Sequence, residues 1–480
     1  LSQKKFVTNL ALLLFLNLLI KPFWILGIDR EVQNLVGEKE YGLYFALFNL
    51  SLVMNILLDV GITNFNNRNI SQHSFLLNKH LSSLVVLKFM LAVLYSVLLL
   101  VVGLVLQYDE RKLWMLVGLG FNQFLLSFIL YLRSNIQGLH LFKIDSFISI
   151  LDRLLMIVLC GGLLLSHTYR QSFTVEHFIW IQTLCYVITA LFTFVVVLKK
   201  SKLKRLTWNP MLLRVILKKS FPFAMLTLLM AFYNRIDTVM LERILPDGAE
   251  QSGIYAQAYR LLDSANMIAY LFSVLLLPLF SKMLKDRESV GEVSQLAFRL
   301  LFVPALVLVG IVVAFNKEII LLLYPKADQE SQEVLATLMF CFLPICSSYV
   351  YGTLLTANGS LRELNYIALG SMVLNVGLNF LLIPPLKANG AAIASLTTQG
   401  FNSLAQLWIV RKKFNIKTSA KETIKFTGFG LFCLVGIWGI SDQLEIFWLF
   451  KAIGLSLIGL LLAMALRLLN FKGLFLLIKS

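Results

Sequence analysis

The sequence predicts an all-α polytopic membrane protein of about fourteen transmembrane helices, arranged as two pseudo-symmetric six-helix lobes plus two C-terminal helices. Three observations lead there. The 480 residues are 58% hydrophobic and only 14% charged, a balance that leaves far too much apolar surface for a protein in water. The apolar runs are continuous and about 20 residues long, the length of helix that crosses about 30 Å of hydrocarbon, whereas barrel strands alternate over about 10 residues. A pattern in the second run also recurs in the eighth. A water-soluble enzyme is thereby excluded.

In order, the spans run Phe6–Ile28, Tyr41–Ile62, Ser83–Leu106, Leu113–Leu132, Phe147–Ser166, Phe178–Leu198 and Ser220–Leu241. The second half continues with Tyr255–Phe280, Phe298–Leu323, Val334–Thr356, Leu364–Pro384, Gly390–Val410, Ile424–Ile440 and Ile446–Leu468. The first span, behind Lys4 and Lys5, mimics a signal peptide. It lacks a small-residue cleavage site and the next span follows closely, so it is expected to be retained. The expected organisation is an N-lobe over 1–200, a basic cytoplasmic linker over 201–219, a C-lobe over 220–413 and a C-terminal helix pair over 414–480.

The formal net charge is +17. With the N-terminus in the cytoplasm, the inner segments carry the cationic excess and the outer loops are net acidic, the asymmetry that orients membrane proteins. Both termini are then cytoplasmic. Lys199–Lys219 and Arg411–Lys425 dominate the inner charge; they read as topology signal and attraction to anionic lipid rather than as a nucleic-acid site. Trp24, Trp114, Trp180, Trp438 and Trp448 fall near the outer boundary, where amphipathic rings settle. The cysteines (Cys160, Cys185, Cys341, Cys346, Cys433) lie inside apolar spans, and neither they nor the five histidines show metal-ligand spacing. No metal or cofactor is expected.

Shifted by 211 residues, Gly42, Tyr44, Leu50 and Asn55 align with Gly253, Tyr255, Leu261 and Asn266, and Phe48 meets Tyr259. Gln137-Gly138 after the fourth span is echoed by Asn358-Gly359 after the tenth. Six helices per copy is an even number, so both copies enter the bilayer from one side and relate by an axis along its normal. Two such lobes around a central cleft suit alternating access.

Ions deep in a span cost about 2.5 to 3.5 kcal/mol and should face protein or a watery cavity. Lys21, Arg235 and Arg260 stand out. On a helical wheel Lys21 shares a face with Asn17 and Trp24, Arg235 with Thr238 and Glu242, and Arg260 with Gln257 and Ser264. Against a cavity role, Lys21 could snorkel and Arg260 could pair with Asp263 at i, i+3. Asp59 is a helix-end or gating candidate with Arg68, and Asp152-Arg153 reads as a structural or interfacial pair. Tyr44, Asn55, Tyr255, Tyr259 and Asn266 line equivalent faces of the repeat helices. Amides, phenols and aromatic planes suit sugars, and they serve equally to knit helices together. No catalytic constellation and no phosphate-cradling glycine loop is present, so neither an enzyme nor a nucleotide-driven pump is expected.

The segment EYGLYFALFNLSLVMNILLDVGITNFNNRNIS (Glu40–Ser71) resembles the N-terminal signature of bacterial polysaccharide flippases, the Wzx-like branch of the multidrug/oligosaccharidyl-lipid/polysaccharide (MOP) exporter superfamily. FYNRIDTVML (Phe232–Leu241), GIYAQAYRLLD (Gly253–Asp263), LLTANGSLREL (Leu354–Leu364) and NVGLNFLLIPPLKANGAAIAS (Asn375–Ser395) resemble its second half. The resemblance implies translocation of an undecaprenyl-diphosphate-linked oligosaccharide across the bacterial plasma membrane, in O-antigen or similar polysaccharide biosynthesis. Lys21, Arg235 and Arg260 would then hold the diphosphate, among membrane lipids and beside a polysaccharide polymerase and glycosyltransferases. The alternatives are a multidrug exporter of the same superfamily, a lipid II flippase, or a non-transporting scaffold for glycosyltransferases. Drug exporters handle cations with carboxylates in the lobe cores, and the first span here has none.

Overall fold

The computed structural model describes residues 15–63, 66–67, 70, 75–139, 141–201, 210–416, 420–443 and 447–469. Residues 1–14, which include the start of the first predicted span, Arg68 and residues 202–209 of the basic linker lie outside that set. Among the described residues there is no β-strand, and fourteen helical rods succeed one another in the predicted order. The first half holds α1 (15–36), α2 (Glu38–Val53), α3 (Leu76–Val105), α4 (Glu110–Gly138), α5 (Phe142–Leu165), α6 (Val175–Lys200) and α7 (Pro210–Ile244). The second holds α8 (Gly248–Lys285), α9 (Gly291–Ala314), α10 (Gln329–Ala357), α11 (361–386), α12 (388–414), α13 (420–443) and α14 (Trp448–Ala465).

Local sequence sets many of the helix starts. Asp109 accepts from the Lys112 amide to begin α4, Asp328 accepts from the Ser331 amide to begin α10, and Thr174 forms a reciprocal cap with His177 at α6. Each satisfies amides that a helix start leaves orphaned. α11 and α12 form a nearly continuous rod, interrupted at Lys387 (φ 49°, ψ −129°) just after Pro384 and Pro385. A Cβ on Gly390 would lie 2.1 Å from the Leu382 carbonyl oxygen, so that turn closes only around glycine.

The chain divides into two compact units, residues 1–242 and 243–480. α2 packs on α4 and α4 on α6 in the first; in the second, α8 packs on α10 and α10 on α12, the corresponding pairs of the repeat. The last two helices dock on α9 through an apolar cluster of Val303, Val307, Ile311, Cys433, Ile437 and Leu455. Exposed apolar side chains such as Phe89, Val93, Val97 and Val105 on α3 need lipid as their solvent.

The second span departs from the straight rod that its hydropathy predicts. α2 stops at Val53, a 3₁₀ turn covers Asn55–Leu58, and Val60 and Gly61 take positive φ of 43° and 82°. Hydropathy cannot register such a break, because it counts apolar residues and not backbone hydrogen bonds.

Candidate functional site

In the first unit, α1 and α5 gather charge. α1 widens into a π turn over Trp24–Asp29 that buries Trp24 against Phe178, stacked at 6.0 Å. The Arg153 guanidinium of α5 lies 5.6 Å from the Trp24 ring and 5.9 Å from the Tyr186 ring, where two aromatic faces attract a cation. Its Nε is 3.7 Å from Asp152, and Nη1 reaches the Met156 sulfur at 3.4 Å. A guanidinium has five N–H donors; with Tyr186 added, these partners leave donors to spare.

Lys21 shares this neighbourhood, within electrostatic range of Arg153, Asp152 and Arg133. Arg133 is spent on Asp145 through contacts of 2.7 and 3.2 Å, and Gln137 donates to the same carboxylate at 2.9 Å. Among these described residues three cations against two carboxylates leave one positive charge, and Asp152 is within electrostatic range of both Lys21 and Arg153. Such a cluster can take up an anion.

The other predicted residues are spread through both units. Asn17 donates to Ser149 at 2.9 Å, joining α1 to α5. Tyr44 is buried, accepts from Gln182 at 2.9 Å and packs edge-on against Phe178. Asn55 donates to Gln123 at 2.8 Å. Asp59 receives Lys88 and Thr63 as partners; Arg68 lies outside the described residues. Arg235 is half-buried on α7, and its predicted face-mates serve the first unit, Thr238 accepting from Asn49 at 2.9 Å and Glu242 from Lys112 at 2.7 Å.

In the second unit Arg260 lies 4.0 Å from Asp263, the i, i+3 pairing that its spacing allows. Tyr255 shares a 3.3 Å hydrogen bond with Ser395 and stacks on Tyr259 at 5.6 Å. The buried Oδ1 of Asn266 accepts no hydrogen bond. Outside the spans, Asp247 pairs with Lys387 at 2.8 Å, and this contact holds its carboxyl below the usual range.

Arg153, read from sequence as the structural or interfacial partner of Asp152, is not among the predicted anion contacts, and Lys88 is not among the predicted residues at all. The signal for Arg153 was there, since adjacent residues point about 100° apart on a helix, and Asp152 therefore cannot be its full partner. Lys88, five residues inside the predicted span Ser83–Leu106, carried the same cost argument as Lys21.

Residues 30–284 match the family described as polysaccharide biosynthesis protein. The chain belongs to that family. Among solved structures it is similar to the lipid II flippase MurJ in an inward closed conformation, at TM-score 0.68 and 15% identity over 94% of this chain and 97% of that one. It is also similar to an inward-facing multidrug resistance MATE transporter of the MOP superfamily, at TM-score 0.58 and 14% identity over 84% and 94%. A MOP superfamily transporter from Pyrococcus furiosus matches at TM-score 0.54 and 15% identity over 86% and 96%. No curated protein matches the sequence. The fold of this family member is that of the MOP transporters, and the chain is a multi-pass membrane protein.

Proposed function

We propose that this member of the polysaccharide biosynthesis family flips an undecaprenyl-diphosphate-linked oligosaccharide across the bacterial plasma membrane by alternating access. The observation that carries the reading is the surplus positive charge at Lys21 and Arg153, held between helices with donors unspent. A diphosphate is the part of a lipid-linked sugar that needs cationic partners in a low-dielectric site. Arg153 joins Lys21 as the primary contact, and Arg235 and Arg260 are further cations on the substrate's route. Among the sugar candidates, Asn266 keeps an acceptor available, whereas Tyr44 and Tyr255 are engaged by neighbouring helices. Glycosyltransferases that build the substrate and a polymerase that consumes it are the expected partners.

The test is replacement of Lys21 and Arg153 by Gln, singly and together, at matched expression. We expect surface glycan to fall about 10-fold or more, with lipid-linked repeat units accumulating on the cytoplasmic leaflet. Undiminished glycan in the double variant rejects the site. Purified protein that folds yet moves no labelled lipid-linked sugar in vesicles rejects the flippase reading in favour of a scaffold.

A further inference from the structure

The break in the second span surrounds a single positive charge. Lys88 of α3 is 1% exposed and places its ammonium 3.0 Å from the Leu58 carbonyl and 3.0 Å from the Ser127 hydroxyl of α4, in an ion pair with Asp59. The face of Tyr131 lies 5.9 Å away. Three N–H donors meet three oxygens of three kinds, a carbonyl, a hydroxyl and a carboxylate.

The carbonyl is available because the helix is broken. In an unbroken helix Leu58 would accept from the Ile62 amide, which donates to Asp59 instead at 2.8 Å, while the Val60 amide donates to Ile56 at 2.9 Å. Lys88 and Ser127, the latter at 3.2 Å, take its place. Freed backbone carbonyls at a discontinuous membrane helix, completed by side-chain oxygens, are how transport proteins seat alkali cations. Here the cation is covalently part of the chain.

We propose that the broken second span is a monovalent-cation site whose occupant is the ammonium of Lys88, and that a free monovalent cation takes this place when the ammonium is removed. A plain ion pair needs only Asp59. The Leu58 carbonyl, the Ser127 hydroxyl and the aromatic face instead form a shell around the charge. The repeat supports the same reading, because α8 carries Tyr270-Leu271-Phe272 where the second span, beyond the end of α2, has Asp59-Val60-Gly61, and α8 runs on unbroken to Lys285.

The experiment is thermal unfolding of full-length protein in detergent, wild type against Lys88→Ala, in sodium, potassium, methylammonium or N-methylglucamine chloride at equal ionic strength. Wild type should unfold at one temperature in all four. K88A should unfold earlier in N-methylglucamine and regain about 3 °C or more, saturably, with a small cation. A folded K88A whose midpoint ignores the cation overturns the proposal. If K88A does not accumulate, K88A/D59N decides. Recovery of the double variant to wild-type stability shows that Lys88 only neutralises Asp59 and overturns the proposal; a double variant that stays unstable supports a cation requirement at the Leu58 carbonyl.

Discussion

Along the second span, Gly42 to Asn55 repeats the Gly253 to Asn266 pattern of α8, and the paired tyrosines behave alike. Tyr44 bonds to Gln182 on α6 and Tyr255 to Ser395 on α12, the sixth helix of each copy. Both helices also begin beside an ion pair, Glu40 with Arg111 at 2.6 Å and Asp247 with Lys387 at 2.8 Å. Beyond the repeat they part. The second span breaks past α2 and is held there by a buried lysine and by Asn55 on Gln123, whereas α8 continues and is tied to α10 by the neutral bond from Thr353 to Ser273 at 2.9 Å. One motif therefore serves two backbones, and the residues just beyond it, with their partners on neighbouring helices, select between them.

Several substitutions sharpen this contrast, and thermal unfolding of purified protein reads them all. Lys88→Met should cost most, about 3 kcal/mol, because it leaves the Asp59 carboxylate without its cation while filling the space a free cation would need. Thr353→Val, which removes the α10 hydroxyl that bonds to Ser273 of α8, should cost about 1 kcal/mol; equal losses in the two variants would remove the distinction. Gly61→Ala is expected at about 1 to 2 kcal/mol, since its φ of 82° disfavours any Cβ. Asn55→Leu should cost about 1 kcal/mol by stranding Gln123, whereas Asn266→Leu should be neutral or stabilising because its buried oxygen has no partner to lose.

The smallest effect lies at the start of α8. Lys387 holds the Asp247 carboxyl below its ordinary value of 3.8. The pair's contribution is therefore present in full above that value and is lost as pH falls through the lowered one. Lys387 is exposed and Asp247 only half-buried, so solvent screens the pair and its contribution is small. Asp247→Asn should flatten this part of the acid limb below the ordinary carboxyl value of 3.8; an unchanged limb would show that the pair contributes nothing.

Membrane class, the order of the fourteen helical rods among the described residues and the sequence repeat are written in short-range pattern, because a helix in lipid satisfies its backbone alone and advertises itself by apolar length. Lys21 was equally readable, since a deep cation carries a cost that demands a reason. The partners were not. Whether Arg153 leans on Asp152 alone or also stands beside Trp24 and Tyr186, which side chain Asn55 reaches, and whether the second span stays helical past Val53 depend on residues tens of positions away. Hydropathy registers how apolar a segment is and is blind to an ammonium arriving from another helix. Tertiary packing settled those questions, because a freed carbonyl or a buried charge takes its energy from whichever group lies within about 3 Å, and only the folded chain brings that group there.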